Sequence, residues 1–193
     1  MRRRETPEQE KARWREEFSR HELTLLCGDQ WYTAIWLLRK PGTSVYSVHI
    51  CFTPAGIVLT GDVMFGDSRA VATYPGYGVE WFASTLSPDY LAEKFLTKGW
   101  TQDRAREDAA WLAREARGAG MRNEAKDWIS AGHCARQCSD AREFEERLPP
   151  WWSSDGELPG WGYDRSQVLL LAAVQERFAE TFHAREAVKG TAS

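Results

Sequence analysis

The feature that most constrains this chain is a change of period. From about His21 to Tyr74, apolar residues recur every second position; beyond Tyr74 they recur at helical spacing. The alternation is cleanest from Val45 to Phe52. Tyr46, Val48, Ile50 and Phe52 share one face of an extended chain, and Val45, Ser47, His49 and Cys51 share the other. Leu23-Thr24-Leu25-Leu26 reads as a strand before it, Gly28-Asp29 as a turn, and Trp31 to Leu38 as the return strand. Arg39-Lys40-Pro41-Gly42 and Pro54-Ala55-Gly56 are the next breaks; Ile57 to Thr60 is the next strand, and a weaker one covers Arg69 to Tyr74. Connections this short favour antiparallel pairing, because parallel strands need longer crossovers. Strands followed by helices give an α+β fold.

The flanks are helical. Thr6-Pro7 with Gln9 is a capping box with proline at the first helical position. Trp14 and Phe18 then lie one turn apart on a docking face. After the strands, Ser87-Pro88 opens a helix carrying Tyr90, Leu91 and Phe95, and Thr101 opens a longer one stopped by Gly118-Ala119-Gly120. A further helix runs from Arg122 to about Ser130, and Asp140 with Glu143 caps a short one ended by Pro149-Pro150. The last helix carries Val168, Leu171, Val174, Phe178 and Phe182 as a stripe. The expected architecture is one α+β domain over 1–193: a helix over 1–20, an antiparallel meander of four to five strands over 21–75, and a helical half over 85–190 packed against it. A Trp-rich loop spans 149–163.

Composition excludes several classes. Hydrophobic residues make up 42% of the 193 positions, with ten Trp, which rules out a mainly disordered chain. Net charge is −3, so net charge does not indicate nucleic acid as a partner. The longest strongly apolar run, Val168 to Val174, is far short of a bilayer span of ~20 residues, so no membrane is expected. Basic Arg2-Arg3-Arg4 is followed by Glu/Lys-rich sequence and not by an apolar segment, so a cytoplasmic location is expected. Cys27, Cys51, Cys134 and Cys138 then read as free thiols. Oligomeric state has no signature in the sequence.

Candidate chemistry is sparse. His133, Cys134 and Cys138 offer three ligand types near one helix end, but tetrahedral zinc needs a fourth, which Cys27 or Cys51 would have to bring from a strand. Neither a metal nor any other cofactor is expected. His49 and Cys51 share a strand face without an orienting third group, so no catalytic residue is assigned and an enzyme is not the favoured reading. Two Gly-Asp pairs, Gly61-Asp62 and Gly66-Asp67, either supply turn chemistry or bring the Asp62 and Asp67 carboxylates together for metal or acid–base work. The loop from Pro150 to Tyr163 holds Trp151, Trp152 and Trp161. Indoles in such a loop either clamp it onto the sheet or stand out as partner anchors.

The strand region also resembles a family of small uncharacterised proteins of tailed bacteriophages. The resemblance rests on His21 with Leu23-Thr24-Leu25, on Asp29 before Trp31-Tyr32, and on Pro41-Gly42-Thr43-Ser44. It continues through Thr53-Pro54, Gly56 and Ile57 to Asp62, and then Tyr90 with Glu93-Lys94, covering roughly the first half of the chain. It implies a phage or prophage accessory protein in the host cytoplasm. Proteins of that kind bind a host protein complex, for example to inhibit an antiviral defence system as an anti-CRISPR does. With Trp151, Trp152, Trp161, Asp62 and Asp67 as candidate binding residues, the expected function is non-enzymatic protein binding. The alternative is a metal-dependent hydrolase or nuclease built on the Gly-Asp turns.

Overall fold

Helix α1, Pro7–Phe18, begins as the capping box requires: Gln9 N–H donates to the Thr6 hydroxyl, and Thr6 N–H donates to the Gln9 side chain. The computed structural model describes residues 5–28, 33–61, 69–70, 78–152 and 158–191. Among these, an antiparallel meander follows α1: β1 Glu22–Gly28, β2 Ala34–Arg39, β3 Val48–Thr53 and β4 Gly56–Gly61, with a two-residue β5, Arg69–Ala70. Helices α2 (Val79–Ala83) and α3 (Pro88–Phe95) come next. Then follow strand β6 (Gly99–Trp100), helices α4 (Gln102–Gly118), α5 (Arg122–Cys134) and α6 (Ala141–Glu145), strand β7 (Trp161–Gly162), and α7, Arg165–Thr191. The fold is α+β, with an N-terminal helix, four full antiparallel strands and a helical second half.

The chain divides into two compact units, one of Met1–Leu96 with Arg165–Ser193 and one of Thr97–Asp164.

In the first unit, the alternation sorts the sheet's faces. Val48, Ile50 and Phe52 are buried while His49, Cys51 and Thr53 are half-buried. Trp36 and Leu38 of β2 and Ile57 and Leu59 of β4 join the same buried layer. Helix α7 closes it with Leu170, Leu171, Ala173, Val174, Phe178 and Phe182. Phe178 is the hub, with ring centroids 5.2 Å from Phe82, 5.8 Å from Phe52 and 6.0 Å from Trp36. The tilted and edge-on geometries are those that the aromatic quadrupole favours.

Two strands depart from simple alternation. The strand expected from Val45 begins at Val48, because Tyr46 adopts a left-handed backbone with φ of 58° and closes a turn. Its ring meets Trp14 of α1 edge-on at 5.9 Å. In β1, the register slips between Leu25 and Cys27, a bulge that leaves Leu26 exposed.

In the second unit, α4 and α5 form a helical hairpin with a seam of small residues. Ala105, Ala109, Ala113 and Ala116 of α4 are buried, and so are Ala125 and Ala131 of α5. A Cβ at Gly132 would lie 3.4 Å from the Ala109 methyl, so the helices touch almost backbone to backbone. Pairing of β6 with β7 adds a two-residue ladder, Gly99 with Gly162 and Trp100 with Trp161.

Candidate functional site

An alanine seam has a consequence for the large residues around it. Because α4 buries its small side chains, its one indole falls elsewhere: Trp111 lies about 200° round the helix from Ala109. It is 53% exposed. Sequence reasoning passed over Trp111, although the four-residue spacing of Ala105, Ala109 and Ala113 was available to place it.

The two neighbouring indoles after Pro149-Pro150 separate. Trp152 is half-buried and packs on the cluster of Ala109, Ala113, Trp128 and Ala131. Trp151 is 46% exposed. Its indole N–H donates to Asp127 Oδ2 at 3.0 Å, and its ring meets Trp128 edge-on at 5.4 Å. One edge is therefore fixed to α5 while much of the ring faces solvent. An indole so held has already lost most of its rotamer freedom, which lowers the cost of using it as a contact.

Trp161, on β7, is 40% exposed, while its partner Trp100 points inward. The Trp100 indole N–H donates to Pro159 O at 3.1 Å, and its ring tilts over Phe144 at 5.5 Å. Gly160 makes this ladder possible. Its φ is +90°, and a Cβ there would sit 2.6–2.8 Å from Ala105 atoms. Its N–H donates to Asp108 Oδ2 at 2.8 Å.

The indoles of this unit thus fall into two groups: Trp152, Trp100 and Trp128 hold the helices together, and Trp111, Trp151 and Trp161 stand out. Where the loop is described, Trp152 contacts the α4–α5 hairpin. No family model matches this chain, and neither does a curated protein or a solved structure.

Asp62 and Asp67 lie outside the described residues. The Cys138 thiol is buried and donates to Cys134 O at 3.2 Å, and burial raises its pKa. Burial also raises the pKa of the Cys51 thiol, so it is held protonated and is a poor nucleophile beside His49. Among the described residues, no three His, Cys, Asp or Glu side chains converge as metal ligands. Among the same residues, no helix is long and apolar enough to cross a membrane.

Proposed function

We propose that this chain is a non-enzymatic binding protein whose exposed indoles seat a protein partner. The setting we infer is that of a phage or prophage accessory factor in the host cytoplasm. The target class is a host protein complex, with an antiviral defence complex as the leading case, so that the chain acts as an anti-CRISPR does. The setting rests on the resemblance of the strand region, and the mode of action on one observation. Trp151 is exposed, yet its indole N–H and one ring edge are fixed by Asp127 and Trp128. A rigid aromatic surface with its polar edge already satisfied is the usual chemistry of an interface anchor.

The test separates the neighbouring indoles. Trp151→Ala loses an exposed hydrogen bond and one edge-on contact, worth about 1–2 kcal/mol of stability together. It should weaken capture of the host partner by about 2 kcal/mol or more, roughly thirtyfold. Trp152→Ala should instead lower the melting temperature more and act on capture only through stability. Equal capture by Trp151→Ala and wild type would refute the assignment of Trp151.

A further inference from the structure

Trp151 offers more than an exposed apolar surface, because its polar edge is bonded to a charge. The indole N–H donates to Asp127 Oδ2 at 3.0 Å. Asp127 is exposed, and among the described residues no cation pairs with it. Lys126 and Arg122, the nearest cations along α5, lie about 100° and 140° round the helix from it. Neither bonds to it.

The ring is open as well. Its contact with Trp128 is edge-on, with 84° between the planes, and such a contact cannot cover both faces. The residue is 46% exposed. Among the described residues no other ring and no cation lies against it. An anionic acceptor on the N–H pushes electron density into the indole, so the open face becomes a better seat for a cation.

An indole face with a carboxylate at its rim is two parts of a three-part arrangement that this chain completes elsewhere. In α1, the Arg13 guanidinium carbon lies 4.3 Å from the Trp14 ring centroid, while its Nε donates to Glu5 Oε2 at 3.0 Å. There the cation is the chain's own. At Trp151 the indole and the carboxylate are in place, and among the described residues no side chain supplies the cation. Arginine suits that position better than lysine. Its planar group stacks flat on an indole and still turns N–H donors outward to a carboxylate, whereas an ammonium is a strongly hydrated point charge.

We propose that the Trp151–Asp127 pair receives an arginine side chain of the protein partner, stacked on the open indole face and bonded to the Asp127 carboxylate. This rests on the reading of Trp151 as a partner anchor and names what the anchor grips.

The experiment is a titration of the full chain followed by ¹H–¹⁵N NMR, reading the indole Nε1–H peak of Trp151, assigned by its loss in Trp151→Phe. The probes are capped Gly-Arg-Gly, Gly-Lys-Gly and Gly-citrulline-Gly, the last a neutral group of nearly the same shape. A single side chain binds such a site with a Kd on the order of 10–100 mM, so the comparison between peptides decides. The arginine peptide should bind about three- to thirtyfold tighter than the citrulline peptide, the combined scale of an exposed cation–π contact and an exposed ion pair. It should exceed the lysine peptide about twofold or more. Asp127→Asn keeps an acceptor for the indole N–H; it should weaken arginine binding about two- to fivefold and leave the melting temperature in place. The proposal is overturned if the citrulline or lysine peptide binds as tightly as the arginine peptide, or if Asp127→Asn binds arginine as wild type does. Capture of the host partner by Trp151→Ala at the wild-type level would sink the anchor reading and the arginine assignment together. Capture lost in Trp151→Ala, with no preference among the peptides, would sink the arginine assignment alone.

Discussion

The two units of this chain use aromatic residues in opposite ways. In the first, the sheet and α7 are held by rings: Trp36, Phe52, Phe82, Phe178 and Phe182 are all buried and in mutual contact. In the second, α4 and α5 are held by alanines, and three indoles remain on the surface. Helices lying across a sheet leave gaps that large side chains fill, whereas two helices at close approach leave room only for small ones. Large apolar residues in the second unit then either cap the ends of the seam, as Trp128 and Trp152 do, or stand in solvent. That difference locates the proposed partner surface on the second unit.

The largest effect is expected from removing α7. A chain ended before Gly99 loses Leu170, Leu171, Ala173, Val174, Phe178 and Phe182, the part of the first core that α7 supplies. The remaining sheet should show no cooperative melt and should aggregate. A sharp transition at the parent temperature would mean that the sheet stands without the ring cluster, and the contrast between the units would fail.

How much of this was legible in the sequence depended on how local the cause is. Thr6, Pro7 and Gln9 carry the start of α1 among themselves. The strand faces follow from alternation, and the α7 stripe from its period; of its five members, only Val168 is merely half-buried. The late start of β3 was not legible, because it turns on the positive φ of Tyr46, a conformation that a bulky residue seldom adopts. Strands β6 and β7 have two residues each and exist only through a partner about sixty positions away, so no local period announces them. The opposite fates of Trp151 and Trp152 are set by Asp127 and Trp128 on one side and the alanine seam on the other.

Gly160→Ala should give the next largest effect, confined to the second unit. The substitution meets a left-handed backbone and Ala105 atoms within 2.8 Å. A cost of about 2–4 kcal/mol is expected, from strain together with the close contact. Chemical denaturation should show the loss, and hydrogen exchange should place it at β6, β7 and the start of α4. A loss spread equally over β2 and β3 would show that the two units unfold together.

His21 offers a smaller effect, and one that belongs to the first unit alone. The side chain is fully buried, its Nε2 donates to Tyr46 O at 3.2 Å, and its own carbonyl accepts from Arg177. Burial is the main cause that lowers its pKa; Arg177 adds to this, while the carbonyls of Tyr46 and Glu17 and the Glu17 charge oppose it. The unfolded chain therefore takes up this proton at higher pH than the folded one. Stability from this group is complete above the ordinary histidine pKa of about 6.5 and is lost as pH falls below it, with a slope of at most about 1.4 kcal/mol per pH unit. Denaturation midpoints of wild type and His21→Gln between neutral and mildly acid pH should converge as the pH falls. Parallel curves would show that His21 does not titrate on unfolding.

The smallest effect, and the sharpest test of the contrast, is expected at Trp111. Its ring is more than half exposed on the face of α4 away from the alanine seam. Trp111→Ala removes little buried area and replaces a residue of moderate helix propensity with the best helix former. The two terms oppose each other, so stability should stay within about 0.5 kcal/mol of wild type, in either direction. Tryptophan-to-alanine changes at buried positions such as Trp36 cost about 3–5 kcal/mol. Equilibrium unfolding of the two variants side by side therefore measures the difference between an indole kept for the core and one kept for the surface. If Trp111→Ala costs as much as Trp36→Ala, the indole is part of a packed interior, and the second unit does not display its aromatics. If it costs nothing yet weakens partner capture alongside Trp151→Ala, both indoles belong to one interface, and their double-mutant coupling gives the extent of that surface.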